Sequence, residues 1–200
     1  MTTFFLVRHG HNDWIDKGIP GWTPEVHLNG QGCLEALRLA ERFPPGSIAA
    51  LFSSPLERTQ ETAAPLAQRL GLEVLLLDDL GEVRCGEWTG LLFADLSPDK
   101  MGELFDSFRK GMRIPGGESI TDVQARMLRC LDEICRQYPD QRVVVVSHGD
   151  PIKSIAAYCA GAPLASYLQV EIRPCSVTIL EIDAECARIV VLNDCDSLEL

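Results

Sequence analysis

The chain has 200 residues, 46% of them apolar, and 18 Lys and Arg against 29 Asp and Glu give a formal net charge of −11 at pH 7. That length suits one domain with a substantial core, and the charge excludes a general nucleic-acid or anionic-membrane surface. No apolar stretch approaches the roughly 20 residues that span a bilayer, and the N-terminus lacks the pattern of a secretion signal, so a cytoplasmic location is expected.

Residues 4–7 are apolar and read as a short buried strand that stops on Arg8-His9-Gly10. Ligands of open α/β sheets bind at the carboxyl ends of strands. An arginine there forks onto phosphate or carboxylate, and a histidine serves as nucleophile, base or ligand. Residues 11–32 form a long loop rich in Gly and Pro, and Cys33, Ala36, Leu37, Ala40 and Phe43 then recur at helical spacing. A second apolar run, residues 48–52, leads into Ser53 and Ser54. Ser54 reads as a helix cap, with Pro55 at the first helical position and Arg58 in the first turn. Thr59, Thr62, Ala63, Leu66 and Leu70 continue that helix. Its N-terminus and Arg58 together favour an anion.

The run at residues 74–77 is followed by Glu82, and residues 84–117 form an excursion with a helix starting at Ser97-Pro98 and Leu104, Phe105 and Phe108 on one face. Such excursions serve as lids or binding loops. Ile120, Val123, Met127, Leu131 and Ile134 mark another helix. The run at residues 143–146 ends on Ser147-His148-Gly149, and Asp150 with Pro151 reads as the cap of the next helix. Glycine at 149 lets a ligand oxygen approach the backbone. The runs at 177–182 and 189–192 read as an edge hairpin.

Alternating strands and helices imply an α/β fold: a three-layer α/β/α sandwich on a mostly parallel sheet. Residues 1–200 are expected to form a single domain with the active-site excursion at about 84–117. In such a sheet His9, Arg58, Glu82 and His148 share one edge. The eight cysteines include no CxxC pair and no zinc-type spacing. They read as reduced, mostly buried thiols, and neither a metal nor another cofactor is expected.

The ordered set Leu6-Val7-Arg8-His9-Gly10, Leu28-Asn29-Gly30-Gln31-Gly32, Ser53-Ser54-Pro55-Leu56-Glu57-Arg58-Thr59, Glu82, Gly116-Gly117-Glu118-Ser119 and Val146-Ser147-His148-Gly149 resembles the histidine phosphatase superfamily, with its phosphoglycerate-mutase-like fold. The resemblance implies a metal-independent phosphomonoesterase of the phosphatase branch. His9 would be the nucleophile that carries the phosphoryl group, and Glu82 the general acid and base. Arg8, Arg58 and His148 would hold the phosphate oxygens, with Asn12 and Gly149 also binding substrate. The expected partner is a small phosphate ester, with no nucleic acid or membrane involved and an oligomer possible.

The chain departs from the family pattern at Ile15, where an Asn is usual, leaving Asn12 to substitute or the contact to be missing. Trp22 stands where a basic or polar residue is common. Asp150 stands where a small residue is common, and its carboxylate would repel phosphate unless it turns back as a helix cap. His11 neighbours the site, His27 reads as a loop histidine, and Lys17, Arg84 and Arg113 read as solvated charges. Two other readings are carried: phosphoglycerate-mutase-type transfer and a non-catalytic phospho-ligand-binding module.

Overall fold

A computed structural model describes residues 1–183 and 185–196, apart from the side chains of residues 105, 108 and 109. In chain order the elements are β1 (Thr2–Arg8), β2 (Gly18–Ile19), α1 (Gly30–Glu41), β3 (Ala50–Ser53), α2 (Glu57–Leu70), β4 (Val74–Leu76), β5 (Leu91–Leu92), α3 (Pro98–Arg109), α4 (Ile120–Gln137), β6 (Arg142–Ser147), α5 (Gly149–Cys159), β7 (Val177–Ile182) and β8 (Ala187–Asp194). The main sheet runs β4-β3-β6-β1-β7-β8. Its first four strands are parallel, and β7 and β8 add an antiparallel edge hairpin.

The unbroken apolar runs of β1 and β6 are explained by burial on both faces. Phe4, Leu6, Val143 and Val145 point into one core, shared with Met127 and Leu131 of α4 and Ile152 and Ile155 of α5. Phe5, Val7, Val144 and Val146 point into the other, with Ala36 and Leu39 of α1 and Ala63 and Leu66 of α2. The result is the three-layer arrangement. Pairing of Ser53 with Val146 and of Arg8 with Ser147 brings the carboxyl ends of β3, β6 and β1 to one edge.

Several local expectations change. Helix α2 starts at Glu57, and the preceding Leu56 makes no side-chain cap bond. Ser54 Oγ is occupied elsewhere: it accepts from the Leu56 N–H and pairs with His148 Nε2 at 2.9 Å. Arg58 still falls in the first turn. Helix α5 starts at Gly149 from an extended His148, so Asp150 lies inside the first turn and is no cap. Its carboxylate sits 3.7 Å from Lys153 Nζ. Ser97 does cap α3, accepting from the Lys100 N–H. In the face read from Leu104, Phe105 and Phe108, Leu104 is buried. The Phe105 and Phe108 side chains lie outside the described residues.

Helix α1 buries Gly32, Ala36, Leu39 and Ala40, while Cys33 and Leu37 face outward. Close backbone packing selects that face: a Cβ on Gly10 would stand 2.8 Å from the Gly32 carbonyl oxygen, and one on Gly32 would stand 2.1 Å from that of His11. Any side chain at either position pushes the loop after β1 off the helix. All eight cysteines are free, but only Cys85, Cys130 and Cys175 are buried; Cys135 and Cys159 pack partly buried against the core, Cys195 is partly buried, and Cys33 and Cys186 are exposed.

Met127 is wholly buried between α4 and the sheet, whereas Leu37 is 54% exposed. Met127→Ala is expected to lower unfolding free energy by about 2–5 kcal/mol. Leu37→Ala is expected to change it by less than about 0.5 kcal/mol. Urea titrations of both variants measure this, and equal losses would contradict the assignment of the α1 and α4 faces.

Candidate active site

Five polar side chains gather where β1, α2, α5 and the segment after β4 meet. His9 follows β1 and is buried. Its Nδ1 lies 2.8 Å from the Gly10 carbonyl oxygen. A carbonyl only accepts, so Nδ1 carries the proton and Nε2 keeps its lone pair. Burial, with Arg58 and Arg8 nearby, lowers the His9 pKa well below the ordinary imidazole value. The ring is therefore neutral at neutral pH. The loop is fixed by the His9 N–H to the Ser147 carbonyl at 3.0 Å and by the Gly10 N–H to Thr62 Oγ1, also at 3.0 Å.

His148 is wholly buried, and its ring meets that of His9 edge-on at a centroid distance of 5.2 Å. Nε2 is bonded to Ser54 and Nδ1 has no hydrogen-bond partner among the described residues. Burial and the positive charge of Arg58 keep it neutral as well.

Arg58 is wholly buried. Its Nη2 donates to the Gly21 carbonyl at 3.0 Å, but Nε and Nη1 have no partner among the described residues. Arg8 spends Nη1 on the Ile172 carbonyl at 2.7 Å, and its Nε has no partner among the described residues. A hypothetical Cβ on Gly149 would lie 3.4 Å from Arg8 Nε, so the space freed there borders the guanidinium. Unpaired buried donors carry a desolvation penalty until an acceptor arrives. Arg58 in the first turn of α2 and His148 at the start of α5 also put two helix N-termini here. The arrangement is built for an anion with several oxygens.

Glu82 stands opposite, with Oε1 accepting from the Val83 N–H and Oε2 3.9 Å from His148 Nδ1. Burial and the Asp150 carboxylate raise its pKa to about 7, against the pull of Arg58. A neutral imidazole with a free lone pair, a cationic anion cradle and a carboxyl that titrates near neutrality can together pass a group to nitrogen and a proton to oxygen.

The cradle opens into a cavity of about 330 Å³. Arg8, His9, Asn12, Glu82 and Gly149 line its inner end, while Arg58 and His148 lie buried outside its lining. Asn12 is buried and its Oδ1 accepts from the Trp14 N–H. Ile15, the departure from the family pattern, is part of the wall. His11 pairs instead with Glu35, and His27 with Glu61. Lys17 is exposed, Arg113 pairs with Asp122, and Arg84 lies over the Trp22 ring.

The residues that hold Glu82 were not apparent from the sequence. Arg126, buried on the apolar face of α4, donates to the Glu82 carbonyl at 3.0 Å and the Asp79 carbonyl at 2.6 Å, and pairs with Glu118. Trp22 Nε1 donates to the same Glu82 carbonyl at 2.6 Å. Ser147 Oγ donates to the Leu80 carbonyl, tying the segment to the end of β6. One signal was available: Arg126 interrupts the apolar series Val123, Met127 and Cys130.

A family model described as the histidine phosphatase superfamily (branch 1) matches residues 4–195. Phosphoserine phosphatase 1 of Hydrogenobacter thermophilus is 30% identical over 201 residues, covering 96% of this chain and 92% of the relative. A probable phosphoglycerate mutase of Cronobacter sakazakii is 31% identical over 182 residues, covering 89% and 84%. Among solved structures, the mycobacterial glucosyl-3-phosphoglycerate phosphatase in complex with VO3 superposes with a TM-score of 0.83 at 29% identity, over 96% of this chain and 98% of that one.

A raised carboxyl pKa makes folding depend on pH. The protonated form of Glu82 contributes its full stability below its ordinary value of 4.5, and this is lost as pH rises through about 7. Glu82→Gln cannot ionise. It is expected to flatten the fall in Tm over that window, as read by thermal melts in a pH series. An unchanged slope would show that Glu82 is not the group responsible.

Proposed function

The chain belongs to the histidine phosphatase superfamily, and from that premise we propose that it hydrolyses small phosphate monoesters through a phosphohistidine on His9. The observation that carries this reading is the His9 imidazole: buried, neutral, its Nδ1 proton committed to Gly10, beside two guanidinium groups with unpartnered donors. His9 Nε2 attacks phosphorus in line, forming the P–N bond as the P–O bond to the leaving group breaks. Arg8, Arg58 and His148 donate to the phosphoryl oxygens, assisted by the N–H groups that open α2 and α5. Asn12 and Gly149 complete the substrate contacts on this reading.

Glu82, protonated below about pH 7, gives its proton to the departing oxygen. A bound dianion raises its pKa further, which keeps it acidic until the ester breaks. As carboxylate it then takes a proton from the water that attacks phosphorus and splits the P–N bond. Among the described residues no group of three or more His, Cys, Asp or Glu side chains is placed to hold a metal ion. The guanidinium groups supply the positive charge that metals supply at other phosphoryl-transfer sites. Cytoplasmic residence belongs to the same reading, supported by the eight unbridged cysteines. No helix among the described residues is long and apolar enough to cross a membrane.

A second reading, phosphoglycerate-mutase-type transfer, draws on the Cronobacter relative. Both readings share His9, and isomerisation of 3-phosphoglycerate separates them. For the hydrolase, aryl phosphate turnover is expected to survive EDTA and to vanish in His9→Ala. Glu82→Gln is expected to lower kcat by about 10²–10⁴-fold for esters with poor leaving groups. In the unaltered protein kcat/KM should fall above about pH 7, as the free-enzyme acid ionises. Full turnover in His9→Ala would overturn the mechanism.

A further inference from the structure

Beyond the phosphate cradle, the cavity walls are apolar and aromatic: Trp14, Ile15, Ile19, Phe93, Leu104 and Leu168. Three charged side chains interrupt them, Asp16, Asp150 and Lys153. Asp150 and Lys153 are already 3.7 Å apart on one turn of α5. Asp16 has no ion-pair partner among the described residues, so the outer cavity carries an excess of one negative charge.

We propose that this outer cavity is a subsite for a leaving group that carries an ammonium on a compact apolar body, with Asp150 and Asp16 receiving the cation. The inference rests on the phosphomonoesterase reading, because it assigns the cradle to the phosphate. A polyhydroxylated leaving group would find few hydrogen-bonding partners on walls of Ile, Leu, Trp and Phe, and its hydroxyls would be desolvated without compensation. A carboxylate would find one cation, already engaged by Asp150, and two carboxylates to repel it. An ammonium finds both carboxylates, with the aromatic side chains of Trp14 and Phe93 in the same wall. At about 330 Å³ the cavity lies at the small end of ligand sites, so the leaving group is compact.

The cap position expected for Asp150 would have turned its carboxylate away. Its place inside the first turn of α5 puts it on the cavity wall instead.

The test uses two phosphate esters with closely matched phenol leaving groups, 4-(2-aminoethyl)phenyl phosphate and 4-(2-carboxyethyl)phenyl phosphate, with phenyl phosphate as the neutral reference. The amine ester is expected to exceed the carboxylate ester in kcat/KM by about tenfold, since attraction at two carboxylates replaces repulsion. Phosphoserine, bearing both charges, should show no such gain over the neutral reference. In Asp150→Asn and Asp16→Asn the ratio of amine to carboxylate ester should shrink, and in the double variant, where Lys153 is left without its partner, it should fall below one. Because this is a ratio within one protein, a general loss of activity does not disturb it. Equal use of the two esters, or preference for the carboxylate, overturns the subsite. If no ester is hydrolysed, the phosphatase reading falls instead. The subsite is then judged by calorimetric binding of the same esters to His9→Ala, where tighter binding of the amine ester upholds it and equal or weaker binding overturns it.

Discussion

A fully buried guanidinium is the constraint around which this structure is arranged. Arg58 is the largest side chain in the described structure with essentially no exposed surface, and two of its three nitrogens have no partner among the described residues. Burying such a cation is costly unless an anion accompanies it. The protein holds it with one carbonyl, that of Gly21, and with the start of α2. Arg8 repeats the pattern with one bonded nitrogen and one free. Among the described residues these buried donors are met only in part, with Glu82 and Glu57 acting on Arg58 against its desolvation. The same positive charge, added to burial, keeps His9 and His148 neutral. One arrangement therefore provides both the anion site and the free imidazole lone pair.

The opposite wall works by the reverse balance. Glu82 is held near neutrality because desolvation and Asp150 outweigh Arg58 and the Val83 N–H. Its backbone is fastened from Arg126 and Trp22, while Ser147 anchors the preceding turn. Those bonds come from three separate parts of the chain. The carboxyl is thus positioned by tertiary structure, although the 3₁₀ turn before it is local. Asp150 links this wall to the outer cavity: it acts on Glu82 from the first turn of α5 and also lines the space where a leaving group would sit.

The layout was legible where the signal was local and repeated. β1 and β6 carry unbroken apolar runs, residues 4–7 and 143–146, because both faces are covered, and their polar ends, Arg8-His9 and Ser147-His148, therefore fall at the sheet edge. Helix α4 carries its core face in plain periodicity. What could not be read was the competition between local capping and distant partners. Ser54 and Asp150 both look like helix caps, each followed by proline, yet Ser54 is taken by His148 and Asp150 by Lys153 and the cavity. Helix α1 misled for a similar reason. Cys33 and Leu37 fit the apolar period as well as Leu39 does, and only the packing of Gly32 on the loop after β1 chooses between them. The clamp on Glu82 was hidden because carbonyl acceptors leave no mark in a sequence.

All of this converges on one atom, Nε2 of His9. Rapid quenching of the protein with a labile phosphate ester, followed by peptide mapping under alkaline conditions, measures its role most directly. The account predicts an acid-labile, base-stable phosphate confined to the peptide that contains His9, formed and lost at rates compatible with turnover. Turnover with no phosphorylated peptide, or with phosphate on any other residue, would contradict it.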